Sequence, residues 1–181
     1  ATSPRLRAAI LVSEDVAFYY HHGFNFTELW NSLVEDLRAG RYQRGGSTVT
    51  QQVAKNLLPM HEKTLRRKLR EAILAHRLEQ TFSKDEIFEI YLNLADWGDG
   101  VQGAATAARV YLDKSSADLT WADAALLAGM LPNPRRFSPT QSCGEALLRR
   151  NIVLAKLQAE GEITADEFAR AVSTACPRRA A

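Results

Sequence analysis

The fold turns on Thr120-Trp121-Ala122-Asp123-Ala124-Ala125-Leu126-Leu127-Ala128-Gly129-Met130-Leu131. Thr120 with Asp123 three residues on is an N-cap signature. The run that follows is rich in alanine and leucine on every side. A helix that is apolar all round is buried by other elements. Outward from it, the alternation of apolar and polar residues that marks strands is missing, and Ala, Leu, Glu, Arg and Lys dominate. The expected class is all-α.

The other helices follow from their punctuation. Pro4 opens a short helix to about Val12. Asn25 with Glu28 reads as a capping box for a helix ending near Ala39, with Gly40 beyond it. Ser47 or Thr48 caps a helix to about Leu58, which Pro59 helps to stop. Lys63 to Phe82 is a long amphipathic helix, with Leu65, Leu69, Ile73 and Phe82 near one face and Ala72 and His76 beside them. Ser83 with Glu86 starts a helix through about Asn93. A loop bearing Gly98, Gly100 and Gly103 precedes a helix to Tyr111. Pro132, Pro134 and Pro139 mark an irregular stretch. Helices over about 144–159 and 165–175 close the chain, the second capped by Thr164 with Glu167.

The bulk numbers exclude several classes. The 181 residues suit one domain, or one with a small lobe. Hydrophobic content of 46% and a net charge of +2 are ordinary for a globular chain and do not mark a nucleic-acid binder. Positive charge does cluster between Lys55 and Arg77. No apolar run approaches the roughly 20 residues that span a bilayer. Two cysteines, Cys143 and Cys176, make no disulfide framework. They form either one bond tying the last helices together or two free thiols.

Four stretches could carry chemistry. In one, Glu89-Ile90-Tyr91-Leu92-Asn93 leads into the Gly98–Gly103 loop; Glu89 could be buried against a cation, but a helix end before a glycine loop is the more ordinary reading. Glu14 and Asp15 stand side by side, followed by Phe18, Tyr19, Tyr20, His21, His22 and Gly23. Adjacent carboxylates oppose each other's ionisation and nearby rings desolvate them, so a general base is one reading. An N-cap acid beside packed aromatics is the more ordinary one. Gly45-Gly46-Ser47-Thr48 leads into Gln51, Gln52 and Lys55. Glycines and hydroxyls at a helix start suit an anion, although a flexible loop with a cap explains them equally. This is not a Walker loop, because the lysine stands too far from the glycines. Lys63, Arg67 and Arg70 share a helical face, with Glu71 at i+4 from Arg67 and i+3 from Lys68. That face could hold a diphosphate, with Glu71 as a positioning carboxylate, or be a solvated ion-paired surface. No cluster has metal-ligand spacing, and no nucleophile elbow or dinucleotide fingerprint is present.

Taken together, the chain resembles the peptidoglycan glycosyltransferases of family 51, from about Arg7 to Val172. Five blocks stand in family order: Glu14-Asp15-x-x-Phe18-x-x-His21-x-Gly23; Gly45-Gly46-Ser47-Thr48-x-Thr50-Gln51-Gln52-x-x-Lys55-Asn56; Arg67-Lys68-x-x-Glu71; Lys84-x-x-Ile87-x-Glu89-x-Tyr91-Leu92-Asn93; and Ala122 through Pro139. The Trp97-Gly98-Asp99-Gly100 loop is most similar to the monofunctional branch, and the tail from Pro177 does not resemble a linker to another domain.

The resemblance implies a single lysozyme-like helical domain over 1–181, with a small membrane-proximal lobe within roughly 24–66 flanking a cleft. It implies polymerisation of lipid II into β-1,4-linked glycan, with inversion and loss of undecaprenyl diphosphate. Glu14 would be the base and Glu71 the second carboxylate. Lys55, Lys63, Arg67 and Lys68 would meet the diphosphate. Ser47, Thr48, Gln51, Gln52, Asp15 and His21 would complete the substrate subsites. Lys63 departs from relatives that carry arginine there, so a point charge replaces a bidentate fork. No cofactor is required by this reading; a divalent cation is left open because such ions affect some relatives. The implied partners are lipid II, the lipid-linked glycan, the bacterial cytoplasmic membrane and other cell-wall synthesis proteins, and no nucleic acid. The implied location is the outer face of that membrane, reached by an N-terminal anchor that this sequence does not include. Phe24, Phe26, Trp30, Leu57, Leu58 and Met60 would then either dip into lipid or pack in the core.

Rival readings are weaker. A lysozyme-like hydrolase or lytic transglycosylase also uses a glutamate in a helical fold but needs no diphosphate site. A non-enzymatic precursor-binding module would not need both Glu14 and Glu71. A DNA-binding helix over 66–77 would carry Glu71 and lacks a helix-turn-helix partner.

Overall fold

A computed structural model describes residues 2–25, 30, 34, 46–58 and 64–177. Among the described residues there are nine helices and no strand, only an isolated bridge between Asp96 and Gln102. The chain forms two compact units. The first is discontinuous, Ala1–Val16 with Leu92–Ala181, and the second is 17–91. The helix expected from Asn25 to Ala39, and most of the segment expected as a small lobe, lie outside the described residues.

The first unit is built on the alanine–leucine helix. In chain order its helices are α1 (Pro4–Glu14), α5 (Ala104–Leu112), α6 (Trp121–Met130), α7 (Pro134–Phe137), α8 (Cys143–Ala159) and α9 (Ala165–Ser173). The intervening α2 (Val49–Leu57) and α3 (Leu65–Thr81) belong to the second unit, and the unit boundary falls within α4 (Lys84–Leu94). From Ala122 to Met130 every residue of α6 is buried. α1, α5, α7, α8 and α9 all pack against it. Gly129 sets the spacing to α8, because a Cβ there would meet the backbone of Arg149 at 3.1 Å.

Side chains fix the edges of this unit. Trp97 is fully buried and its indole N–H donates to the Leu127 carbonyl of α6 at 3.0 Å. Tyr111 donates to the Trp97 carbonyl at 2.8 Å, and burial, followed by the charge of Asp99, raises its pKa. Gly98, at φ +88°, lies against Pro134. Buried Arg150 donates to the carbonyls of Val172 and Thr174, at 2.7 and 2.6 Å, and so caps the end of α9. Burial lowers its pKa. Cys143 and Cys176 are joined as a disulfide, with Cα atoms 6.1 Å apart. It ties the start of α8 to the chain just past α9. Proline-rich 132–139, expected to be irregular, contains the one-turn helix α7. Asn133 caps it and Pro134 occupies its first turn, where no N–H is needed.

The caps read from sequence form as hydrogen bonds. Thr48–Gln51, Thr120–Asp123 and Thr164–Glu167 are reciprocal capping boxes. Glu86 accepts from both the N–H and the hydroxyl of Ser83. Backbone hydrogen bonds hold Glu86 and Glu167 below the ordinary glutamate value of 4.5. These caps therefore stabilise above that value, and their contribution is lost as pH falls through the lowered one.

The second unit departs from the sequence expectation in one respect. α3 does not bury the face that carries its large apolar residues. Leu69, Ile73 and Phe82 are 63%, 49% and 39% exposed. The buried stripe is Glu71, Ala75 and Leu78, at i, i+4 and i+7. Glu71 follows Leu69 by two residues, about 200° round the helix. α2 packs on α3, burying Val49, Val53 and Ala54. Counting large apolar side chains missed this face because its residues are an alanine, one leucine and an ion-paired carboxylate.

Candidate active site

The acids of the first block stand in the first unit. Glu14 is the last residue of α1 and is partly exposed. Asp15 is the C-cap, 7% exposed, and its N–H donates to the Leu11 carbonyl. The acids thus end a helix rather than start one, so the N-cap reading does not hold. A helix C-terminus carries partial negative charge and disfavours carboxylates.

The cationic residues come together in the second unit. Thr64 caps α3 by accepting from the Arg67 N–H. One turn later Glu71 is buried between two cations. Arg67 Nε lies 3.2 Å from its Oε1, and Lys68 Nζ 3.1 Å from its Oε2. Arg67 Nε and both Glu71 oxygens lack hydrogen-bond alignment. Coulombic attraction needs only distance, so the ion pairs stand. Lys68 keeps a side-chain exposure of 56% and donates to Ser47 Oγ at 3.5 Å. Ser47, Arg67, Lys68 and Glu71 therefore form one cluster with two cations to one anion. Lys55 is exposed in the last turn of α2. Such a cluster can take up an anion with an extended charge, as a diphosphate has.

The remaining candidates have distinct places. Thr48 is buried; its hydroxyl accepts from Gln51 N–H and donates to the Gly23 carbonyl at 2.7 Å. Gln51 Oε1 accepts from Thr48 N–H. Both residues thus hold the start of α2. Gln52 is partly buried. His21 stands edge-on to Phe18, with ring centroids 6.2 Å apart. Lys63, Phe26 and Met60 lie outside the described residues. Trp30 and Leu57 are 66% and 47% exposed, while Phe24 and Leu58 are partly buried. Among the described residues no three His, Cys, Asp or Glu side chains could hold a metal ion.

Sequence reasoning missed a polar hub in the second unit. Glu79 accepts from the Thr50 hydroxyl and pairs with Lys84 at 2.8 Å. Lys84 also lies 4.4 Å from the centre of the Phe18 ring. Gly23, at φ +84°, leaves room for the Glu79 side chain, which a Cβ would meet at 3.3 Å. The hub joins Phe18 and Gly23 of the first block, Thr50 of the second and Lys84 of the fourth. The signal was there in the eight-residue spacing of Glu71 and Glu79, which puts both near one helix face.

The family described as Transglycosylase matches residues 1–158. The chain belongs to this family. It is 42% identical over 157 residues to the biosynthetic peptidoglycan transglycosylase of Dechloromonas aromatica (strain RCB), covering 87% of this chain and 68% of that one. It is 41% identical over 165 residues to penicillin-binding protein 1A of Aquifex aeolicus (strain VF5), covering 91% of this chain and 23% of the relative. This transglycosylase domain therefore spans less than a quarter of that longer relative. The crystal structure of penicillin-binding protein 1A from Haemophilus influenzae matches 74% of this chain and 17% of that one, at 25% identity and a TM-score of 0.49. No helix among the described residues is long and apolar enough to cross a membrane.

Proposed function

We propose that this transglycosylase domain polymerises lipid II at the outer face of the bacterial cytoplasmic membrane. The observation that carries the reading is the Arg67–Lys68–Glu71 cluster beside Ser47, in a chain of this family. A lipid diphosphate leaving group needs cations, whereas a hydrolase cutting finished glycan does not.

Glu14 takes the proton from the 4-hydroxyl of the acceptor sugar. That oxygen attacks the anomeric carbon of the lipid-linked chain from the face opposite the diphosphate. The new C–O bond forms as the old one breaks, and the electron pair leaves with undecaprenyl diphosphate. The anomeric centre inverts, giving a β-1,4 link. Charge grows on the leaving group, so Arg67, Lys68, Lys55 and Lys63 stabilise the transition state more than the ground state. Glu71 holds Arg67 and Lys68 in place. Ser47, Thr48, Gln51, Gln52, Asp15 and His21 belong to the substrate subsites, Thr48 and Gln51 acting through the start of α2. The reading requires no cofactor. The membrane holds the substrate, and other cell-wall synthesis proteins are its natural neighbours.

The test is gel-resolved polymerisation of labelled lipid II in detergent. Wild type makes a ladder of products. Glu14→Gln binds lipid II but makes none. A ladder of normal intensity from Glu14→Gln rejects the base assignment, and cleavage of finished glycan by wild type rejects the reaction class.

A further inference from the structure

The last turn of α1 is held from another helix. Near a helix C-terminus the final carbonyls have no intrahelical donor. The Leu11 carbonyl is taken by the Asp15 N–H. The next two are met by Lys156 of α8, whose Nζ donates to the Val12 carbonyl at 3.4 Å and to the Ser13 carbonyl at 3.3 Å. α1 packs directly on α8 within the first unit. Buried Val153 and Leu157 flank Lys156 and fix the stretch of α8 from which its stem extends.

We propose that Lys156 is a positioning residue for Glu14. Glu14 directly follows Ser13 and is the last residue of α1, where helices fray and where the backbone's partial charge repels carboxylates. One ammonium on the two preceding carbonyls fixes the final turn and offsets that negative end. The place of the Glu14 carboxylate is then set by α8, 142 residues further along the chain. Lys156 acts through the backbone and need not touch substrate. The inference rests on Glu14 being the base, and the experiment separates the two.

Initial rates of labelled lipid II polymerisation are measured across substrate concentrations for wild type, Lys156→Met, Lys156→Arg, Lys156→Gln and Glu14→Gln, with a thermal melt of each. Loss of the ammonium lets the base shift, and a shift of about 1 Å can cost on the order of a hundredfold, so kcat in Lys156→Met falls by roughly tenfold or more. KM stays within about twofold, since ground-state binding is untouched. Lys156→Arg, which keeps a charged donor, recovers most of kcat. If Lys156→Met does not fold, Lys156→Gln takes its place in the comparison with Lys156→Arg. Wild-type kcat in the uncharged variant, or no recovery with arginine, overturns the proposal. A fully active Glu14→Gln removes the base reading and this inference with it. An inactive Glu14→Gln beside a fully active Lys156→Met removes this inference alone.

Discussion

α6 and α3 are both central to their units, and they are buried in different ways. α6 presents alanine, leucine and methionine on all sides and is enclosed by five helices. α3 turns a carboxylate, an alanine and a leucine inward and leaves Leu69 and Ile73 in the open. The first helix is placed by hydrophobic burial. The second buries Ala75 and Leu78 beside the charged cluster and the Glu79 hub that the same side of the helix carries. The contrast separates a helix buried by apolar side chains alone from one that buries ionised groups as well.

Substitutions can break or sharpen that contrast. The largest effect on stability belongs to α6. Leu127 is fully buried, and Leu127→Ala costs about 3 kcal/mol in urea denaturation, as large-to-small changes in tight cores do. A cost under about 1 kcal/mol would mean that the packing around α6 collapses to fill the gap. Next comes Glu71→Leu. Its partners Arg67 and Lys68 keep 15% and 56% side-chain exposure, so water reaches the lysine, while Arg67 Nε is left buried without its counter-charge. Stability then falls by about 2 kcal/mol, because removing one partner leaves the guanidinium nitrogen buried and unpaired. Polymerisation falls by about a hundredfold, the usual effect of removing one preorganised electrostatic group. Retained activity with that loss of stability would make Glu71 a structural residue only. The smallest effect is at Ile73→Gln, on the exposed face, with a change under about 0.5 kcal/mol.

The fold was legible wherever the signal is local. The Thr48, Ser83, Thr120 and Thr164 caps act over three residues, so helix starts could be read from sequence and formed as read. The burial of α6 was legible because its pattern has no polar face to confuse. The inward face of α3 was not, since a carboxylate counts as surface until its partners are placed. The spacing of Arg67 and Lys68 to Glu71 was visible as i,i+4 and i,i+3. The approach of Lys68 to Ser47 spans 21 residues of sequence, and that of Lys156 to Ser13 spans 143. Such contacts exist only once helices pack. The cysteine pair was undecided for the same reason, since a spacing of 33 residues says nothing of distance. The helix ends at Glu14 and Leu57 differed from expectation by a residue or two, which is ordinary fraying at termini.

The split of the first unit in sequence bears on how the protein is made. α1 is complete by Glu14, yet α6, against which it packs, does not begin until Trp121. All of 17–91 is synthesised in between. At about 5–20 residues per second the intervening chain takes roughly 5 to 20 s to emerge. Over that interval Leu6, Ala9 and Ile10 lack the cover that α6 and α8 give α1. α1, which carries Glu14, is thus synthesised well before the helices it packs against, so its docking waits until α6 and α8 have emerged.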